Sequence, residues 1–324
     1  MKKLLALIVI FLILLLVMRG WWESVLSSFS KDTTEKRIVI EKGKNVKDIA
    51  TLLKKENLIR SELAFNLYTR QQGLTGKLSA GTFKFSPSLS TPEIIKILSG
   101  KPNEAWVTLI EGWRVEEMAQ ELNSKFDIRN SDFLAVAKEG YMFPDTYLFA
   151  HDVTAPQIAE RLRDTFDERF ERTDDLRGKI KSQGLTEDEG VILASIVERE
   201  ARSDKARTEV ASILLKRLKI NMGLNADATL QYALGYQEGE NPPAGGWWKR
   251  HLTKEDKKID SPYNTYFYRG LPPKPICNPG LSSLEAVANA NPNTPYLYYY
   301  HDSKGNSHYA KTLQEHNENV ANNP

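Results

Sequence analysis

Apolar residues recur along this chain in three patterns, and each predicts a different kind of element. The first is unbroken: fifteen consecutive apolar residues run from Leu4 to Met18, as in a helix that is hydrophobic on every side. The second spaces apolar residues three and four apart. It appears in Val46, Ile49, Ala50 and Leu53, and again in Val115, Met118, Ala119 and Leu122. Each set follows an apolar stretch and a glycine, Ile40 to Gly43 and Ile110 to Gly112. Both read as strand, turn and short helix, and two copies are too few for a solenoid. The same spacing predicts a helix over Thr91–Leu98 ended by Gly100. It predicts another opening at 154–157 with Ile158, Leu162, Phe166 and Phe170 inward, and one capped by Ser203 with Val210, Ile213, Leu214 and Leu218 inward. The third pattern is that of short strands: Gly81–Phe85, and a hairpin pairing 296–301 with Ser307–Ala310 through a turn at 302–306. Beyond residue 224, Pro, Gly, Asn and Tyr crowd the chain, and helices are expected to give way to loops. The class is α+β.

One helix carries candidate chemistry. Thr186-Glu-Asp-Glu189 has the spacing of a capping box, so a helix begins near Glu187. On it, Glu200 shares a stripe with Leu193, Ile196 and Val197. Glu198 lies about 200° around, beside Val191, Ala194 and Ser195. A carboxyl on the greasier stripe loses water, which favours its neutral form and makes a general acid for neutral pH. The alternative is that both glutamates are solvated or paired with Arg199 and Arg202. The segment alone leaves both readings open.

The N-terminal apolar run covers about 22 Å as a helix, short of a hydrocarbon core of about 30 Å. Arg19 to Trp22 extends it, since arginine can snorkel and tryptophans suit the membrane interface. Lys2 and Lys3 ahead of the span place the N-terminus in the cytoplasm and the rest of the chain outside the cell (inner) membrane. A cleaved signal peptide is the competing reading, but no small-x-small cleavage site follows the run. The expected organisation is an anchor at 1–22, a polar linker at 23–36, a small α+β module at 37–101 and a larger unit at 102–324 that carries the glutamates. The strand-turn-helix outline of 37–101 resembles LysM-like domains, many of which bind cell-wall glycan; a purely architectural role is the other reading.

With a net charge of +2, the chain lacks the basic excess of a dedicated nucleic-acid binder. Cys277 is its one cysteine, which rules out an internal disulfide and a thiolate metal cage. His151, His251, His301, His308 and His316 show no ligand spacing, although His308 and His316 could meet in space. No Gly-x-Ser-x-Gly elbow or phosphate-cradling loop is present. What the loops do hold is Tyr, Asn, Asp, Thr and Gln stiffened by proline, a texture suited to sugars. It occurs at 139–147, at 225–232, and at 261–266 with 270–273 and 278–280.

These segments carry a resemblance. The order Glu139-Gly-Tyr-Met-Phe-Pro-Asp-Thr-Tyr147, Ala194-Ser-Ile-Val-Glu-Arg-Glu200, Asp227-Ala-Thr229, Tyr263-Asn-Thr-Tyr266, Gly270-Leu-Pro-Pro273, Asn278-Pro-Gly280, Tyr296-Leu-Tyr298, Gly305, His308 and Glu315-His-Asn317 resembles the membrane-bound endolytic murein transglycosylases, the MltG or YceG-like family. The likeness runs from the anchor to about residue 320. It implies a lyase that cuts peptidoglycan glycan strands between N-acetylmuramic acid and N-acetylglucosamine. In that reaction the muramic C6 hydroxyl attacks its own anomeric carbon and leaves a 1,6-anhydro end. One carboxyl can serve first as acid and then as base, whereas a hydrolase normally needs two.

The resemblance implies Glu200 as that group, with Glu198 as fallback or support. It implies Asp227, Thr229, Tyr263, Asn264, Tyr266, His308 and Asn317 as substrate-binding residues. No cofactor or metal is implied; the partners are glycan strands, the membrane and, as candidates, peptidoglycan synthases. Ala201 stands where other lytic transglycosylases have Ser, and Tyr309 where this family more often has Phe. Two alternatives remain: a non-catalytic glycan-binding scaffold, and a hydrolytic muramidase with Asp227 as second carboxylate.

Overall fold

The computed structural model describes residues 2–100, 103–172, 175–238 and 246–323. It is a mixed α+β structure in two compact units, one of residues 1–107 with 147–153 and one of residues 108–146 with 154–324.

The first unit begins with α1 (Lys2–Leu26). Within it, Val9–Leu26 is apolar and long enough to cross a membrane, and only 6% of that window is buried. There follow β1 (Lys36–Ile40), α2 (Val46–Lys55), α3 (Glu62–Gln71), β2 (Gly81–Phe85), α4 (Thr91–Leu98), β3 (Glu104–Thr108) and, after α5 (Val115–Lys125) and α6 (Asn130–Leu134) of the second unit, β4 (Thr146–Ala150). The four strands form one sheet in the order β1-β2-β3-β4. β1 and β2 are antiparallel with Ile38 opposite Phe83, and alternation sends Ile38, Ile40, Phe83 and Phe85 into one core. Ile49, Leu53, Ile94, Ile95 and Leu98 meet them from α2 and α4, as their spacing dictates. Both helices start on capping boxes, Asn45 with Asp48 and Ser90 with Glu93.

The second unit continues with α7 (Ala155–Arg172), α8 (Leu176–Ser182), α9 (Glu187–Glu200), α10 (Asp204–Lys219), α11 (Asp227–Leu234), α12 (Leu281–Ala288), the hairpin of β5 (Tyr298–His301) and β6 (Ser307–Ala310), and α13 (Leu313–Asn322). α9 sits among α8, α10, α11 and α12. Its capping box forms as expected, with Thr186 accepting from Glu189 N and the Glu189 carboxylate accepting from Thr186 N. Every residue from Gly190 to Val197 is buried, so the expected contrast between a greasy and a polar stripe is absent. Gly190 lets α8 approach: a β-carbon there would lie 2.6 Å from Ile180 Cγ2.

The expectation of loops beyond residue 224 is corrected by α11, α12 and α13. α11 buries Ala228, Thr229 and Leu230 in succession, and α13 buries nothing, so neither shows a helical stripe. The hairpin stands where expected, with Tyr299 opposite Tyr309.

Candidate active site

Asn278 fixes the loops behind α9. Fully buried, its side-chain oxygen accepts from Gly140 N and Met142 N, each at 2.9 Å, and its amide donates to Trp113 O at 3.0 Å and Glu139 Oε1 at 2.8 Å. Ser195, on the buried face of α9, accepts from Ile276 N at 3.0 Å and donates to Ile192 O at 2.7 Å. α9 and the 139–147 and 276–280 segments are thereby joined, and the last turn of α9 is held in place.

The two glutamates of that turn have different partners. Glu198 is an anchored carboxylate: Gly280 N donates to Oε2 at 3.0 Å, Ser283 Oγ at 2.8 Å, and Arg207 pairs with Oε1 at 3.1 Å. Its side chain is only 5% exposed and that of Arg207 12%. Glu111 lies against Gly280, and burial followed by the Glu198 charge pushes its carboxyl upward. Glu200 receives Ala228 N on Oε1 at 3.3 Å and the Tyr299 hydroxyl on Oε2 at 3.1 Å. Its neighbour Arg199 lays its guanidinium on Trp248, 3.9 Å from the ring centre. Burial is the main cause that raises the Glu200 carboxyl to about 7, and Asp227 adds to the rise. The glutamates are thus separated by their partners and not, as expected, by the stripe of α9 that each occupies.

Glu200 opens on a cleft of about 520 Å³. Asp227, the first residue of α11, accepts from the Tyr266 hydroxyl at 2.6 Å. Lys257 Nζ sits 4.1 Å from the centre of the Tyr266 ring. On the hairpin side Tyr298, Tyr299, Tyr300 and His301 all line the cleft, and His316 of α13 stacks on Tyr298 with ring centres 5.5 Å apart. At the back, the buried Arg217 donates to Leu297 O at 2.8 Å and Leu224 O at 2.6 Å. Burial lowers its pKa from the usual arginine value.

Of the residues singled out in the sequence, Glu200, Asp227 and Tyr266 come together in this cleft. Thr229 and Asn264 are fully buried behind it. Thr229 shares a 2.8 Å hydrogen bond with Thr265, and Asn264 donates to Lys257 O and Ile259 O, shaping the loop that presents Tyr266. Tyr263 lines a different cavity, against Tyr232. His308 is bound to Asp302 at 3.0 Å beside the hairpin turn, whereas His316 lies on Tyr298. Asn317 is exposed on α13. Among the described residues no cluster of His, Cys, Asp and Glu could hold a metal ion. Tyr299, Arg217 and Lys257 were not anticipated. The one signal available was the run of three tyrosines at 298–300, whose successive side chains present a phenol to each face of the strand.

The profile of the YceG-like family matches residues 38–322. An endolytic murein transglycosylase of Bacillus subtilis (strain 168) is 31% identical over 327 residues, covering 91% of this chain and 87% of that protein. One from Streptococcus pneumoniae (serotype 2 strain D39) is 29% identical over 336 residues, covering 90% of this chain and 59% of its own longer chain. The crystal structure of a yceG-like protein from Listeria monocytogenes matches with a TM-score of 0.63 at 29% identity, over 89% of this chain and 99% of that one.

Proposed function

The chain belongs to the YceG-like family, and on that premise we propose that Glu200 is the single proton-transfer group of a glycan-cutting reaction that leaves 1,6-anhydro-muramic ends. The protein is an endolytic murein transglycosylase, a lyase of peptidoglycan. The observation that carries the assignment is the state of Glu200: shut in against Tyr299 and Ala228, with no salt-bridge partner among the described residues and a pKa of about 7. A carboxyl poised there holds a proton at neutral pH and can also lose it.

The steps follow from that balance. Glu200 gives its proton to the glycosidic oxygen as the bond to the muramic anomeric carbon breaks. The substrate's 2-acetamido group stabilises the positive charge. The carboxylate then takes the proton of the C6 hydroxyl as that oxygen closes on the anomeric carbon, and Glu200 ends as it began. Ala228 N and the Tyr299 hydroxyl stabilise the intermediate carboxylate by hydrogen bonds. Asp227, held by Tyr266, Lys257 above that ring, and the tyrosines of β5 are the groups offered to the sugars. Glu198 keeps the end of α9 in place.

We assign α1 to a single membrane pass with its N-terminus in the cytoplasm, so that the cleft meets glycan outside, next to the synthases that make it. Residues 37–101 serve as a LysM-like glycan-holding module, whose sheet β3 and β4 complete, and the rest of 102–324 as the catalytic domain. Mass analysis of strands digested by the detergent-solubilised full-length protein tests the reading. Anhydro ends are expected. Reducing ends would make the enzyme a hydrolytic muramidase, and intact strands a scaffold.

A further inference from the structure

The catalytic unit holds a second cavity that the reaction above does not use. At about 510 Å³ it is as large as the cleft at Glu200, and α9, α11 and the loop carrying Tyr263 and Tyr266 contribute to both. Ile192 of the second cavity and Glu200 of the first are eight residues apart on α9, a rise of about 12 Å. Tyr232 and Asp227 stand five residues apart on α11, and Tyr263 and Tyr266 three apart on one loop. A polymer held at Glu200 has its neighbouring groups within reach of this cavity.

Its chemistry is unlike that of a sugar platform. Tyr141 already faces Lys138 Nζ at 3.8 Å and the Arg163 guanidinium at 4.5 Å, and Tyr232 faces Arg114 at 4.1 Å. Cations of the protein occupy the positions over these rings where a sugar would stack. What the cavity offers instead is an aliphatic wall, including Val115, Ile192, Pro273 and Pro275, with the exposed Lys274 at its rim. Burial, with the nearby Glu116 charge, raises the Glu139 carboxyl in this cavity to about 8, so at pH 7 it does not repel an anion. Asp188, the other acid present, has Lys138 at 3.6 Å. Small apolar groups and a carboxylate are therefore the matching ligand chemistry.

Resting on the reading of Glu200 as the glycan-cutting acid, we propose that this cavity binds the peptide that peptidoglycan carries on its muramic residues. That peptide is short, alanine-rich and bears carboxylates. Its methyl groups would lie against the aliphatic wall, and a carboxylate would pair with Lys274. Glycan in the cleft and peptide in the cavity would then be read together.

The test compares the full-length protein in detergent on glycan strands with their peptides and on the same strands stripped by an amidase. Loss of the peptide should raise KM about tenfold with kcat little changed, the size of one charge-assisted hydrogen bond. Lys274→Glu should raise KM on peptide-bearing strands to the same degree and leave stripped strands unaffected. A free synthetic stem pentapeptide should bind the wild type saturably and bind Lys274→Glu more weakly. Equal KM on both substrates, a variant that weakens both alike, or a pentapeptide that does not bind would each overturn the proposal. The reading of Glu200 is judged separately, by the end groups released from stripped strands.

Discussion

Tyr299 donates its hydroxyl to Glu200 Oε2 at 3.1 Å, from a strand ninety-nine residues further along the chain. Burial and the Glu200 charge keep the phenol protonated well above the usual tyrosine range, so it stays a donor whenever Glu200 is an anion. The bond pulls the Glu200 pKa down against the upward push of burial. Tyr299→Phe should therefore move the alkaline limb of the kcat/KM profile to higher pH, by about one unit, since a hydrogen bond to a charged group is worth about 1.5 kcal/mol or more. A profile that keeps its position with lower amplitude would make Tyr299 a packing residue.

The pH dependence of the wild type follows from the same carboxyl. Glu200 must be protonated to act as acid, so kcat/KM should fall about tenfold per unit above pH ~7. Stability carries the matching signature. Between the ordinary glutamate pKa of 4.5 and about 7 the folded state holds a proton that the unfolded state has released, so stability declines as pH rises through that window. Glu200→Gln removes this term. Its melting temperature relative to wild type should climb from pH 4.5 to 7, while cleavage drops at least ~100-fold.

Glu198→Gln should fail differently. It leaves Arg207, 12% exposed, with Asp204 as its remaining carboxylate partner and weakens the holds on Gly280 and Ser283. A loss of about 2 kcal/mol is expected, somewhat less than for a fully orphaned buried charge. Denaturant melts of Glu198→Gln and Glu200→Gln at pH 7 make the comparison. Destabilisation confined to Glu200→Gln would reverse the two roles.

Gly140→Ala should be among the most damaging single changes. The residue sits at φ +88°, and a β-carbon would lie 2.4 Å from Pro275 Cγ. Both the 139–147 segment and its tie to Asn278 would have to shift, so poor folding is expected, read as a loss of soluble protein or a lowered melting temperature.

The N-terminal helix gives a topological prediction. A reporter fused after Pro324 should be active outside the cytoplasm, and N-terminal sequencing of the membrane-bound protein should find Met1 to Trp22 retained. A shortened N-terminus would identify a cleaved signal.

Where local pattern determines structure, the sequence was readable. The capping box at Thr186, the helical spacing in α2 and α5, and the turn at 302–306 all express short-range rules, and each element stands at its expected place. α11 escaped because it is brief and buries consecutive residues, which leaves no periodicity to detect. Glu200 was singled out for its apolar neighbours along α9, yet Glu198 is also enclosed; what separates them is Arg207 on α10, Ser283 on α12 and Tyr299 on β5. Such partners are brought in by tertiary packing, and no spacing within α9 encodes them. Asn264 shows the converse case, a motif residue whose side chain builds a loop instead of facing the cleft.

Glu200 is the last residue of α9, and the amide it accepts, Ala228 N, belongs to the first turn of α11. The carboxyl therefore lies between opposite poles of two helices. The carbonyl end of α9 sets a negative field that resists ionisation, while the amide end of α11, whose Ala228 N donates to the carboxyl, sets a positive one that welcomes an anion. Neither charge state is strongly preferred, and the proton can leave and return without the protein rearranging around it. A group that must be an acid at one moment and a base at the next is served by this balance between two dipoles, and a change that lengthened α9 or unwound the first turn of α11 would tip it one way.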